Sequence, residues 1–241
     1  MKHMKAMAIL GLIVSFEAVQ AASTSIDLQL SRRLDNGDTS SSVGTIAITT
    51  LNEGNPGAAT QSMLYTVTGL TLDSVGTADD QITFEMGLAG SSSSGTVVGM
   101  GASYGAWGIA DGSGSASLIE NDEALTFGFV AATVTLGAGA FESASVSFDG
   151  FTGFSALNVA AGETFNISGT AANNVTGASI ASNGDLYSFT GSESAFTVEG
   201  NEGAMRYNLV QASVTINTVP EPSASVLIAL AGISLILRRR K

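Results

Sequence analysis

Few residue types that could carry chemistry occur in this chain, and most of their combinations are incomplete. Gly101-Ala102-Ser103-Tyr104-Gly105 has the G-x-S-x-G spelling of a serine-hydrolase nucleophile elbow. That chemistry needs a base to take the serine proton and a strand–turn–helix to present it. The single histidine is His3, no lysine lies between Lys5 and Lys241, and no helical period follows Tyr104. The motif therefore reads as a glycine-rich turn between strands. Gly99-Met100-Gly101 fails as a dinucleotide fingerprint, because Tyr104 takes the third glycine position and no helix follows. The chain has no cysteine, so thiolate chemistry is excluded, and the zinc, haem and iron–sulfur ligand sets are missing.

Carboxylates remain. Asp79-Asp80, Glu120-Asn121-Asp122-Glu123 and the pair Asp35 and Asp38 supply the hard oxygen ligands that Ca²⁺ prefers. None matches an EF-hand loop, and the plain reading is solvated loop carboxylates. No cofactor is required by the sequence, and Ca²⁺ is the one metal its residue types would suit. Two carboxylates held roughly 5–9.5 Å apart in a cleft would also suffice for a glycosidase. Such clefts stack sugars on aromatic rings, and the chain has 1 Trp and 4 Tyr. Tyr104 and Trp107, within the glycine-rich stretch Gly99–Gly114, are the candidate glycan-stacking pair. Burial of Trp107 in a core is the competing reading.

The elements that must position these residues are strands. From Ser25 to Ile216 apolar residues alternate with small polar ones, the period of a half-buried strand. Candidate strands are Ile26–Leu30, Thr45–Thr50, Met63–Thr68, Gln81–Met86, Thr96–Met100, Leu125–Thr135, Ser143–Phe148, Thr164–Ser168, Leu186–Thr190, Ala195–Glu199 and Tyr207–Ile216. Turn clusters such as Asp35-Asn36-Gly37-Asp38 and Asn183-Gly184-Asp185 separate them. No fixed repeat and no charged or proline-rich linker interrupts the region. The pattern predicts an all-β fold: an antiparallel two-sheet sandwich, jelly-roll-like, forming one domain over residues 22–218.

Charge narrows the partners. The chain carries a net −12, but its basic residues gather at the ends, at Lys2, Lys5 and Arg238–Lys241. Between Ala22 and Pro222, three arginines (Arg32, Arg33, Arg206) face twenty acidic residues, a net −17. Nucleic acid is excluded as a partner, since phosphate binding depends on Lys and Arg displacing counterions. Cations and neutral polymers such as polysaccharide stay open.

The ends read as targeting segments. Met1–Lys5 is a basic start, Ala6–Phe16 an apolar core, and Val19-Gln20-Ala21 places small residues at −3 and −1 of a cleavage site. Residues 1–21 form a signal helix on this reading, cut by signal peptidase after Ala21 or Ala22; a buried N-terminal helix is the alternative. At the other end, Val219-Pro220-Glu221-Pro222 precedes an apolar run, Ala224–Leu237, closed by Arg238, Arg239, Arg240 and Lys241. As a helix that run spans roughly 21 Å, short of the roughly 30 Å hydrocarbon core. It is a marginal transmembrane helix with its basic end cytoplasmic, which suits a segment meant to be removed.

Pro220-Glu221-Pro222, the short apolar helix and the terminal Arg cluster, over residues 219–241, resemble the PEP-CTERM sorting signal of Gram-negative bacteria. The resemblance implies recognition of Pro220-Glu221-Pro222 by a membrane-embedded exosortase, removal of the tail, and delivery to the cell surface or extracellular matrix in an exopolysaccharide context. It implies nothing about the activity of residues 22–218. The expectation is a non-enzymatic, exported surface or matrix protein, structural or adhesive. The alternatives are a carbohydrate-binding module using Tyr104, Trp107 and Ca²⁺-binding loop carboxylates, and a carboxylate-only glycosidase.

Overall fold

The computed structural model describes residues 21–31, 40–41, 45–50, 59–73, 76–93, 102–103, 106–109, 118–138, 142–157, 163–202, 206–220 and 238. Its strands are β1 (Ala22–Ser31), β2 (Ser40–Ser41), β3 (Thr45–Thr50), β4 (Thr60–Leu70), β5 (Asp80–Ser92), β6 (Ala102–Ser103), β7 (Ala106–Trp107), β8 (Glu123–Thr135), β9 (Glu142–Leu157), β10 (Thr164–Ser168), β11 (Val175–Ala178), β12 (Leu186–Glu193), β13 (Ala195–Glu202) and β14 (Arg206–Pro220). They form two seven-stranded sheets. Sheet A runs β12–β9–β14–β1–β2, with β7 joined to β14 and β6 to β7; sheet B runs β11–β10–β13–β8–β5–β4–β3. Every strand pairing among the described residues is antiparallel.

The alternation places one side chain in two inward. On β5, Ile82, Phe84, Met86 and Leu88 are buried, and on β14, Val210, Ala212, Val214 and Ile216. Both rows belong to one apolar core, so the sheets face each other across it. Aromatic rings span the gap. Phe154 on β9 packs against Phe165, Phe196 and Tyr207 at centroid distances of 5.4, 5.7 and 5.3 Å. Phe196 on β13 also stacks on Phe127 of the next strand at 4.9 Å.

Ten of the candidate strands lie on observed ones. The eleventh, Thr96–Met100, falls outside the described residues, as do the first twenty of the 21 residues expected to form the signal helix and the apolar run Ala224–Leu237. The second half of β9 escaped the alternation for a physical reason. Gly153 and Phe151 face the adjacent residues Gln211 and Ala212, and Gly150 and Phe148 face Ser213 and Val214, leaving Thr152 and Asp149 as bulged extra residues. The inward positions therefore run Phe148, Phe151, Phe154, Ala156, which breaks the period of two. At Gly150 (φ 133°) a Cβ would lie 2.5 Å from that of Ser192; only glycine fits that bulge.

Truncating Phe154, which is fully buried between the sheets, removes contacts with both. Phe154→Ala is expected to lower unfolding stability by about 3–5 kcal/mol in urea titration. A loss under about 1 kcal/mol would mean that the sheets do not share this core.

Candidate functional site

Antiparallel pairing lines residues into rows across the outer face of sheet B. Ser62 faces Gly87, Gly87 faces Gly128 and Gly128 faces Ala195; the next row is Thr60, Ala89, Thr126 and Thr197. Paired glycines leave bare backbone where side chains would stand, and a groove of about 420 Å³ opens there. A bulge raises one wall: Phe129 and Ala131 face the adjacent residues Met86 and Glu85, so Val130 is extra and stands 53% exposed. Hydroxyls line the other side. Thr126 Oγ1 and Thr197 Oγ1 are 2.8 Å apart, and Ser62 Oγ donates to the Glu85 carboxylate. The volume lies in the ordinary range of ligand sites, roughly 300–1,000 Å³. The lining can exchange hydrogen bonds with a neutral hydroxylated chain and contact its apolar faces.

Trp107 does not offer a stacking face, which corrects the expectation for that residue. It is 0% exposed on β7, opposite Tyr207. Its ring meets Phe127 edge-on at 5.5 Å, and Nε1 donates to Met63 Sδ at 3.2 Å. The largest apolar surface in the chain is buried in the core, where it cannot reach a sugar. Tyr104 lies outside the described residues. Ser103 faces Ala106 in the β6–β7 pair, a strand position rather than a strand-to-helix elbow.

Of the carboxylates considered for Ca²⁺, five fall at opposite ends of the β5–β8 pair, and Asp35 and Asp38 lie outside the described residues. Asp80 opens β5 beside the end of β8, where Gln81 faces Thr135, whereas Ser92 faces Glu123 at the other end. About eleven residues at ~3.3 Å separate the two clusters by roughly 35 Å, so they form no common site. Asp80 is fully buried and ties two loops together: Oδ2 accepts from the Leu72 and Asp73 amides, and Oδ1 from Gly137 N at 2.8 Å. Asp79 accepts from Thr77 Oγ1 at 2.6 Å and Ala138 N at 3.2 Å. A Cβ on Gly137 would fall 2.0 Å from Asp79 Cγ. Glu123, 2% exposed, accepts the Glu120 amide at 2.7 Å, and Asp122 accepts from Ser92 Oγ at 3.5 Å. Among the described residues, no group of three or more His, Cys, Asp or Glu is placed to hold a metal ion. Asp79, Asp80 and Glu123 act in the structure as acceptors for loop amides.

A sixth carboxylate was not anticipated. Glu193, 4% exposed at the end of β12, accepts from Ala171 N at 2.8 Å, Ala172 N at 3.0 Å and Asn173 Nδ2 at 2.6 Å. Asn173 in turn takes the Thr190 amide at 2.7 Å. The Ala171 amide is the main reason the carboxyl is held below its ordinary range, burial opposes it, and the Ala172 and Asn173 donors reinforce it. The only signal in the sequence is the turn-forming run Gly169–Asn174; nothing there points to a glutamate some twenty residues on.

Of the residues expected to form the sorting motif, Val219 and Pro220 are the last residues of β14, facing Ser143 and Glu142, and Val219 is 50% exposed. Ala22, at the expected cleavage position, faces Thr218 on the same edge of sheet A. Glu221 and Pro222 lie outside the described residues, and of the basic cluster only Arg238 is described, exposed. Comparison of the chain with protein-family models, with curated proteins and with solved structures finds no match.

Two substitutions test the internal carboxylates. Asp80→Asn puts an amide donor against backbone donors and is expected to lower stability by about 1–3 kcal/mol, measured by denaturant unfolding. The Glu193 carboxyl has a folded pKa below the ordinary 4.5. Its contribution is therefore complete above pH 4.5 and is lost as pH falls through the lowered folded value. Glu193→Gln should be less stable than the wild type near neutral pH, with the difference closing in acid. A pH-independent difference would mean that the ionised form is not what the Ala171–Asn173 loop binds.

Proposed function

We propose that this protein is an exported, non-enzymatic surface or matrix component, sorted through its C-terminal tail and structural or adhesive in an exopolysaccharide context. Its domain is read as a jelly-roll-like antiparallel sandwich. Signal peptidase would act at Ala21 or Ala22, and an exosortase-type membrane enzyme on the Val219-Pro220-Glu221-Pro222 motif. The observation that supports the reading is that, among the described residues, strand pairing runs from Ala22 to Pro220. A folded domain thus lies between the leader and the apolar run of the tail, and its last strand extends into the first two residues of the motif. Full-length chain produced in a Gram-negative host with such an enzyme should be recovered outside the cytoplasm, with its N-terminus at Ala22 or Ser23. Recovery in the cytoplasm with both ends intact would overturn the reading.

The groove on sheet B favours a second reading, a binding face for a neutral polysaccharide. Its lining of Thr60, Ser62 and Thr126 beside Val130 suits a hydroxylated chain. The domain's −17 charge, with three arginines in the segment, would repel an acidic one. A Cβ on Gly128 would meet nothing within 4 Å, so Gly128→Phe fills the groove without disturbing the backbone. On a polysaccharide panel this variant should lose binding at least tenfold while unfolding at the wild-type temperature. Unchanged binding would remove the groove from the account.

A further inference from the structure

We infer that the groove on sheet B takes an extended β-(1→4)-linked chain of neutral hexoses, lying across the strands with one ring over each of β4, β5 and β8. This rests on reading the groove as a polysaccharide face. All its lining residues belong to those three strands, and none of them is charged. Pairing sets Thr60 opposite Ala89 and Ala89 opposite Thr126. One row across the groove therefore reads hydroxyl, methyl, hydroxyl. Its two threonines stand two strand spacings apart, roughly 9–10 Å. Thr60 is exposed, and Ala89 and Thr126 are half-buried, as outward positions of the alternation. The neighbouring row of Ser62, Gly87 and Gly128 leaves bare backbone beside them. Val130 bounds that row: its Cγ2 lies 3.1 Å from where a Cβ on Gly87 would stand.

This pattern has the period of one kind of chain. In an extended β-(1→4)-linked hexose polymer each ring is turned over relative to the ring before it. Alternate rings present the same edge, and the two-ring repeat is close to two strand spacings. Rings over β4 and β8 then place equivalent hydroxyls on Thr60 and Thr126. The ring between them turns that edge away over Ala89, whose side chain has no polar atom to leave unpaired. An α-(1→4)-linked chain coils, so its alternate rings do not fall on one line.

The hydroxyls are also equipped for it. Thr126 Oγ1 lies 2.8 Å from Thr197 Oγ1; with Thr197 donating, Thr126 keeps its own proton for the ligand. Ser62 commits its proton to the Glu85 carboxylate, so its oxygen is left to accept. A sugar hydroxyl, which both donates and accepts, finds each kind of partner in the lining.

The test is calorimetric titration of the full-length chain, in micelles of a detergent with no sugar headgroup. The probes are β-(1→4)-linked glucose oligomers of two to six rings and the α-(1→4)-linked hexamer. Three rings are the shortest chain that reaches both threonines. Affinity should therefore rise about threefold or more from dimer to trimer and level off beyond the tetramer. The α-linked hexamer should bind about tenfold more weakly than the β-linked one. Thr60→Val and Thr126→Val keep the β-branched shape, and each should weaken the trimer by about threefold to tenfold. Equal binding of the two linkages, or trimer affinity unchanged in both valine variants, would overturn the inference. So would binding of some other neutral polysaccharide, lost in Gly128→Phe, by a chain that ignores the β-(1→4) series; the groove reading would then survive. Absence of any binding sensitive to Gly128→Phe would remove both.

Discussion

Sheet A depends on the pairing of the chain's first strand with its last. Ala22–Ser31 of β1 lie in continuous register with Leu209–Thr218 of β14, joining residues up to 196 positions apart. Among the described residues, β1's other neighbour, β2, is two residues long. β14 carries the second, longer pairing with β9 on its opposite side, so one strand holds β1 and β9 together. Closing a loop of this size costs entropy before any contact is gained. The sheet is therefore complete only when β14 has been synthesised. The same register brings Ala22 and Thr218 to one edge of the sheet.

A chain without cysteine has no disulfide to hold such a closure. Aromatic packing across the sheets supplies the cohesion instead, with Phe154 and Phe196 in contact at 5.7 Å and Phe151 against Phe196 at 5.4 Å. Acids turned inward hold loops together. Asp80 and Glu193 each gather backbone amides from a distant turn. Their donors are backbone N–H groups, joined at Glu193 by the Asn173 side-chain amide, and what they position is the chain.

Much of the fold was legible because alternation survives wherever the pairing is regular, as on β4, β5 and β14. It failed where bulges shift the phase, at Asp149 and Thr152 on β9, and where strands are too short to show a period, as in β2, β6, β7 and the four-residue β11. The site was harder to read. The groove arises because Gly87 and Gly128 fall opposite each other, and register across strands cannot be read from either segment alone. Trp107 looked like a sugar platform from its glycine-rich surroundings. The pairing of β7 with β14 turns it inward. The reading of the ends as targeting segments rests on local composition alone.

The central claim is that β14 holds sheet A together, and native-state hydrogen exchange on the full-length chain addresses it most directly. The amides of Val210–Thr218 and their partners in β1 should exchange together, at the slow rate set by global unfolding. If β14 instead exchanged by local opening while β8 and β13 stayed protected, the strand would be a detachable edge, and the account built on it would be wrong.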